Sequence, residues 1–421
     1  MNSLSIEKNG CICSKSNKIP PRIQTRYSFK ILICLFFLFG DLAAFSQTVH
    51  YSKSDLRKVI DYIHQTYRSD YTSTHNQQTL DWQKASVTMM YIHAYELLGD
   101  AKYLKWASDA LYVEFNISDD QCWGANAVLE LNRHGLKAIS KPYTNDAGKT
   151  FSIPYSYQDI FDLGLTTKNG TAPAPYTGFY DDPTNGGLGG ICWNKAFTSY
   201  NTCTLGQAIV LAYLMPDKLV KGKSPKAFAS TWMDLQRDVL LDATSGKVYD
   251  NYQLPAKSKN QGSYTYNNGT VLAALGLAWM KDSLRHTDAP ALADKLVDYI
   301  LSEMSRNGVL YSPDADFSNQ NAHAFNGIFM HFLPYYLFSD IPSKNKSKLK
   351  TYTNMCASMV WKQIQDNQKL NPNNYGISYS WADIYKKEQT NCMTSVSGAE
   401  CLLTSFQIKQ NKKPVAFKKR L

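Results

Sequence analysis

NTCTLGQAIVLAYL (201–214) and PKAFASTWMDLQRDVLL (225–241), separated by a break containing Pro216 and Gly222, decide the fold between them. Both repeat apolar residues at helical spacing. The first is Ala- and Leu-rich and free of charge, as a helix buried on every side should be. The second carries Lys, Asp, Arg and Gln on one face, as a helix open to water on that face should be. The same alternation runs along the chain. Segments near 81–98, 266–281, 321–338 and 394–408 are apolar with few charges, and segments near 53–68, 289–305 and 344–366 have a charged face. With helices near 101–114, 120–134 and 156–165 this makes twelve helices and almost no strand signal, that is, six helical hairpins. Alternating buried and half-exposed helices predict an all-α (α/α)6 barrel, an inner ring wrapped by an outer ring. No linker interrupts residues 47–421, which are expected to form one domain.

Composition excludes disorder and collagen-like repeats, since 44% of the 421 residues are apolar and 19% charged. The net charge of +10 is concentrated in residues 1–46 and in the tail KKPVAFKKR (412–420), so the body carries no basic stripe and no nucleic-acid partner is expected. The first 46 residues resemble an export signal: a basic segment ending at Lys30, an apolar run from Ile31 to Phe39, and the small residues Ala44 and Ser46 before a cleavage point. The run is too short to span a bilayer. An exported, periplasmic or extracellular monomer beginning near Gln47 is the expectation. Six cysteines then remain (Cys122, Cys192, Cys203, Cys356, Cys392 and Cys401), either as buried thiols or as disulfides.

Polar and aromatic residues crowd the start of every inner helix: Asp81-Trp82, SDDQCW (118–123), Ser199-Tyr200-Asn201, YTYNNG (264–269), AHAFNG (322–327) and Gln389-Thr390-Asn391. In a parallel inner ring these clusters meet at one mouth, the expected site. Simple capping would explain the small polar residues but not the repeated Trp and Tyr. Asp119-Asp120 is the sharpest feature. The positive helix end is expected to lower one carboxyl and mutual repulsion to raise the other, which suits glycoside hydrolysis. Asp181-Asp182 forms a second pair in a Pro/Gly-rich loop and is assigned at most to the rim. No zinc-ligand spacing, nucleophile elbow or phosphate loop is present. His323 reads as a structural histidine at the mouth.

The ordered motifs DDQCWG (119–124), GGICWN (189–194), YTYNNG (264–269), FNGIF (325–329) and the segment 389–403 resemble those of glycoside hydrolase family 76, the endo-α-1,6-mannanases. The resemblance implies an (α/α)6 barrel, a retaining mechanism, no metal or other cofactor, Asp119 as nucleophile and Asp120 as acid/base. It further implies a sugar cleft lined by Trp123, Trp193, Asn194, Tyr266 and Asn267. The expected function is therefore a secreted endo-acting hydrolase of α-1,6-mannan. Two other readings remain: a barrel hydrolase of another α-linked or unsaturated uronyl glycan, and a glycan-binding protein without catalysis. The chain departs from the family pattern at Gly124, Cys192, Asn201 and Asn268, positions that bear on substrate.

Overall fold

The computed structural model describes residues 50–73, 79–111, 118–136, 143–144, 150–151, 190–193, 198–220, 222–254 and 256–418. These belong to one compact unit, Val49–Leu421. The export segment, the expected helix at 156–165, Asp181-Asp182 and Asn194 lie outside the described residues.

Eleven α-helices are described: α1 (Lys53–Thr72), α2 (Gln83–Leu98), α3 (Lys102–Ala110), α4 (Ser118–Arg133), α5 (Thr202–Leu214), α6 (Pro225–Leu235), α7 (Thr265–Asp282), α8 (Ala289–Glu303), α9 (Phe325–Leu337), α10 (Lys346–Leu370) and α11 (Cys392–Lys409). Each of α2, α4, α5, α7, α9 and α11 packs on the next, and α11 packs back on α2, so six helices close a ring. Helices α1, α3, α6, α8 and α10 lie outside it, each against one or two ring members. This is the (α/α)6 barrel that the alternation predicts. Burial follows the pattern: twelve of the thirteen residues of α5 are buried, whereas α1 buries Leu56, Val59, Ile60, Ile63 and Tyr71 on one side.

Helix ends follow local chemistry. Ser52 and Asp55 form a capping box at α1, and Asn391 accepts from the Thr394 amide at α11. Gly99, at φ 77°, ends α2 in the left-handed conformation that favours glycine. The segment expected as one helix over 225–241 becomes a π-turn at Gln236–Leu240, and the segment at 321–338 starts as a 3-10 turn, Gln320–Ala324.

Glycines let the ring close tightly. A Cβ on Gly327 would lie 2.6 Å from the Ser397 Cα on α11, and one on Gly269 would lie 2.6 Å from the Phe329 Cα on α9. Backbone cannot yield as a flexible side chain can. Gly327→Val is therefore expected to destabilise the fold by about 3 kcal/mol or more, the upper end of overpacking costs. Gly262→Ala, whose Cβ would meet only ordinary contacts at 3.4 Å, serves as the control. An unchanged urea midpoint in Gly327→Val would contradict the close approach.

The six cysteines are all buried and none is in a disulfide, so the thiol alternative holds. Among the described residues no helix is long and apolar enough to cross a membrane. The near absence of strand signal hid a small element: β1 (Ser199–Asn201), β2 (Asn251–Gln253) and β3 (Ser258–Lys259) form an antiparallel sheet beside the start of α5.

Candidate active site

Helix α4 starts at Ser118 and carries Asp119 and Asp120 in its first turn, both half-buried at the positive helix end. The neighbouring ring helix, α5, presents Cys203 and Gln207 four residues apart on one face. The Cys203 thiol donates to Asp119 Oδ2 at 3.3 Å and the Gln207 amide to Oδ1 at 2.6 Å. Both carboxylate oxygens are thus held by one helix.

Burial pushes the Asp119 carboxyl up to about 6, the Cys203 and Gln207 donors pull against it, and the charge of Asp250 adds to the rise. The sequence-level expectation placed the repulsion within the Asp pair. The neighbour that raises Asp119 instead comes from the small sheet. Asp250 precedes β2, and its carbonyl accepts from the Thr202 amide at 2.9 Å, fixing it at the start of α5. Its carboxylate accepts from Asn267 Nδ2 at 3.1 Å and Asn251 Nδ2 at 2.8 Å. Burial raises its pKa too, against these two donors.

The expected site residues divide. Tyr266 is half-buried, stacks on Phe325 at 4.1 Å and meets the Cys203 thiol through its hydroxyl. Asn267 is wholly buried, so it holds Asp250 rather than lining an open cleft. Trp123 is 1% exposed and packed between Trp82 and Phe332 at 5.9 Å from each, and its indole acts to lower the Asp119 carboxyl. It supports the carboxylate from the core and leaves the open aromatic face to Trp82. Trp193 is half-buried beside Cys192, which bridges to Tyr200. Asp81 is ion-paired with the buried Lys84 at 2.5 Å.

Cross-links join the starts of α2, α7, α9 and α11 at this end of the ring. Trp82 Nε1 donates to Asn321 at 3.0 Å, Thr265 to Asn326 at 2.9 Å, and Asn391 meets His323 Nδ1 at 2.9 Å. His323 Nε2 binds the Phe317 carbonyl at 2.8 Å, so this histidine is structural as expected. Among the described residues no chelating group of His, Cys, Asp and Glu lies at the mouth. The sequence reading gave no site role to Gln207, Cys203 or Asp250, and named Trp82 only among the aromatics of the mouth. Gln207 was detectable as the long polar side chain inside an otherwise apolar helix, whereas Asp250 has no signal without the sheet.

The arrangement supplies a held carboxylate, a second carboxylate next to it in the chain, a third at the rear and aromatic surface around them, which is equipment for glycosyl transfer. Comparison with known proteins agrees. The model of glycosyl hydrolase family 76 matches residues 176–417, more than half of the chain, starting beyond Asp119 and Asp120. No curated protein sequence matches. The fold is similar to that of GH76A α-1,6-mannanase from Salegentibacter sp. HEL1_6 (TM-score 0.61, 19% identity, covering 83% of this chain and 99% of that one). An inactive variant of that enzyme, with two consecutive aspartates replaced by asparagine, was solved with α-1,6-mannotriose (TM-score 0.62, 18% identity, 84% and 100% covered). Dfg5 from Chaetomium thermophilum, in complex with glucosamine, shares the fold at TM-score 0.64 and 14% identity, with 86% and 91% covered.

Proposed function

Because the chain belongs to glycosyl hydrolase family 76, we propose that this glycoside hydrolase is an exported, retaining endo-α-1,6-mannanase with Asp119 as nucleophile and Asp120 as acid/base. The observation that carries the assignment is the grip of Cys203 and Gln207 on both oxygens of Asp119 at the shared mouth. A nucleophile needs one fixed orientation toward the anomeric carbon. In the first step an Asp119 oxygen bonds to that carbon as the glycosidic C–O bond breaks, and Asp120 gives its proton to the departing sugar oxygen. In the second, Asp120 takes a proton from water, the water oxygen bonds to the anomeric carbon, and the bond to Asp119 breaks. The Asp250 carboxylate disfavours ionised Asp119 in the free enzyme, and covalent attachment of the sugar relieves that repulsion.

The substrate assignment rests on two supports: the α-1,6-mannotriose bound by the structurally similar Salegentibacter enzyme, and the consecutive aspartates whose loss inactivates it. Protein from Gln47 onward should release short mannooligosaccharides from unbranched α-1,6-mannan, with the α-anomer appearing first by NMR. Initial β-anomer would refute retention, and no release from any α-1,6-mannan would refute the substrate. The glucosamine held by Dfg5 on the same fold makes amino-sugar-containing α-glycans the next substrates to assay.

A further inference from the structure

Far from the mouth, the barrel core holds a second constellation of ionisable groups that the hydrolytic reaction does not use. His93 on α2, His331 on α9 and Glu400 on α11 are buried, and one ligand-type atom from each lies within 4.8 Å of the others. His93 lies ten residues along α2 from Gln83, about 15 Å below the mouth at 1.5 Å per residue. His93 Nδ1 faces Glu400 Oε2 at 2.8 Å, and His331 Nδ1 faces Oε1 at 3.0 Å. Each imidazole also has an acceptor on its far nitrogen. His331 Nε2 meets Glu130 Oε1 at 3.1 Å, and His93 Nε2 meets Gln407 Oε1 at 3.1 Å.

We propose that His93, His331 and Glu400 form a structural divalent-metal site of the zinc class that ties three ring helices together at the closed end of the barrel. The outer acceptors carry the argument. Glu130 Oε1 and Gln407 Oε1 face the two Nε2 atoms, and with each Nε2 as the donor both Nδ1 atoms are directed at the same carboxylate, the outer arrangement of histidine metal ligands. A lone pair cannot face a carboxylate oxygen bare, so each Nδ1–Glu400 contact needs either a proton or a shared cation. One divalent ion replaces two protons at constant charge: two N–H bonds break, two metal–nitrogen bonds form, and both protons leave to solvent. Two imidazoles and a carboxylate select zinc over calcium or magnesium.

Small cavities flank the cluster. A cavity of about 30 Å³ is lined by His93, Glu130, Arg133, His331, Tyr335 and Gln407, and one of about 10 Å³ touches His331 and Glu400. In the proton-filled form, burial disfavours charge on Glu400, but His93 and His331 outweigh it and hold that carboxyl at about 2.

The test starts from the wild-type protein and is independent of the hydrolytic assignment. Protein from Gln47 onward, produced in zinc-supplemented medium and purified without chelator, should retain about one zinc per chain by mass spectrometry of the elements. Chelation should lower Tm by about 3 °C or more, and zinc chloride alone, but not calcium chloride, should restore it. Glu400→Gln should lose the zinc response even if its own Tm is lower. Metal-free protein whose Tm ignores both chelator and zinc would overturn the proposal and leave a purely protonic His–Glu network. Zinc retained by Glu400→Gln would place the metal elsewhere.

Discussion

Asp119→Ala should lower kcat on α-1,6-mannan by about 10⁴-fold or more while leaving circular dichroism and Tm close to wild type, because the missing group forms a bond in the reaction and only two hydrogen bonds in the fold. Asp120→Ala should fail on mannan to a similar degree, but for a separable reason. With an aryl α-1,6-mannobioside, whose leaving group needs no proton, its first step should run and its second stall. Azide then distinguishes the two residues. In Asp119→Ala the small anion takes the nucleophile's place and yields the β-azide. In Asp120→Ala it attacks the glycosyl-enzyme and yields the α-azide. An Asp119→Ala enzyme within tenfold of wild type would sink the assignment, whatever the product.

The second large effect is the pH dependence. A nucleophile must be ionised, and burial with the nearby Asp250 pushes the Asp119 carboxyl up to about 6. As pH falls below that value kcat/KM should drop about tenfold per unit, since the free enzyme's essential base becomes protonated. The limb should respond to its causes. Cys203→Ala removes a donor that favours the charged form, so the limb moves up in pH. Asp250→Asn removes a repelling charge, so it moves down. The opposite profile, with kcat/KM falling as pH rises through about 6 and tracking these same substitutions, would exchange the roles and make Asp119 the proton donor. The steady-state profile and the azide products must agree.

The helices were legible because burial on all sides and burial on one side leave different residue patterns, as α5 and α1 show. The shared mouth was legible from topology, since every inner helix of such a barrel runs in one direction. Asp119 and Asp120 stood out as consecutive carboxylates at a helix start. Trp123 was placed in the cleft because the resemblance to glycoside hydrolase family 76 implies a tryptophan there. Its indole instead fills the core behind Asp119, and Trp82, the first residue before α2, is the open one. The small sheet escaped because strands of two and three residues have too little periodicity to register.

What the sequence by itself determined is the pattern of apolar faces, hence the hairpin order, the ring and the end of it where polar residues collect. These depend on residues near one another in the chain. What only the tertiary structure decided is which groups share a dielectric environment: Asp250 with Asp119, Cys203 and Gln207 on one carboxylate, and Glu400 between two histidines. Those partners lie tens to hundreds of residues apart in sequence, and a pKa or a ligand set depends on distances of a few ångströms that packing of the ring alone establishes.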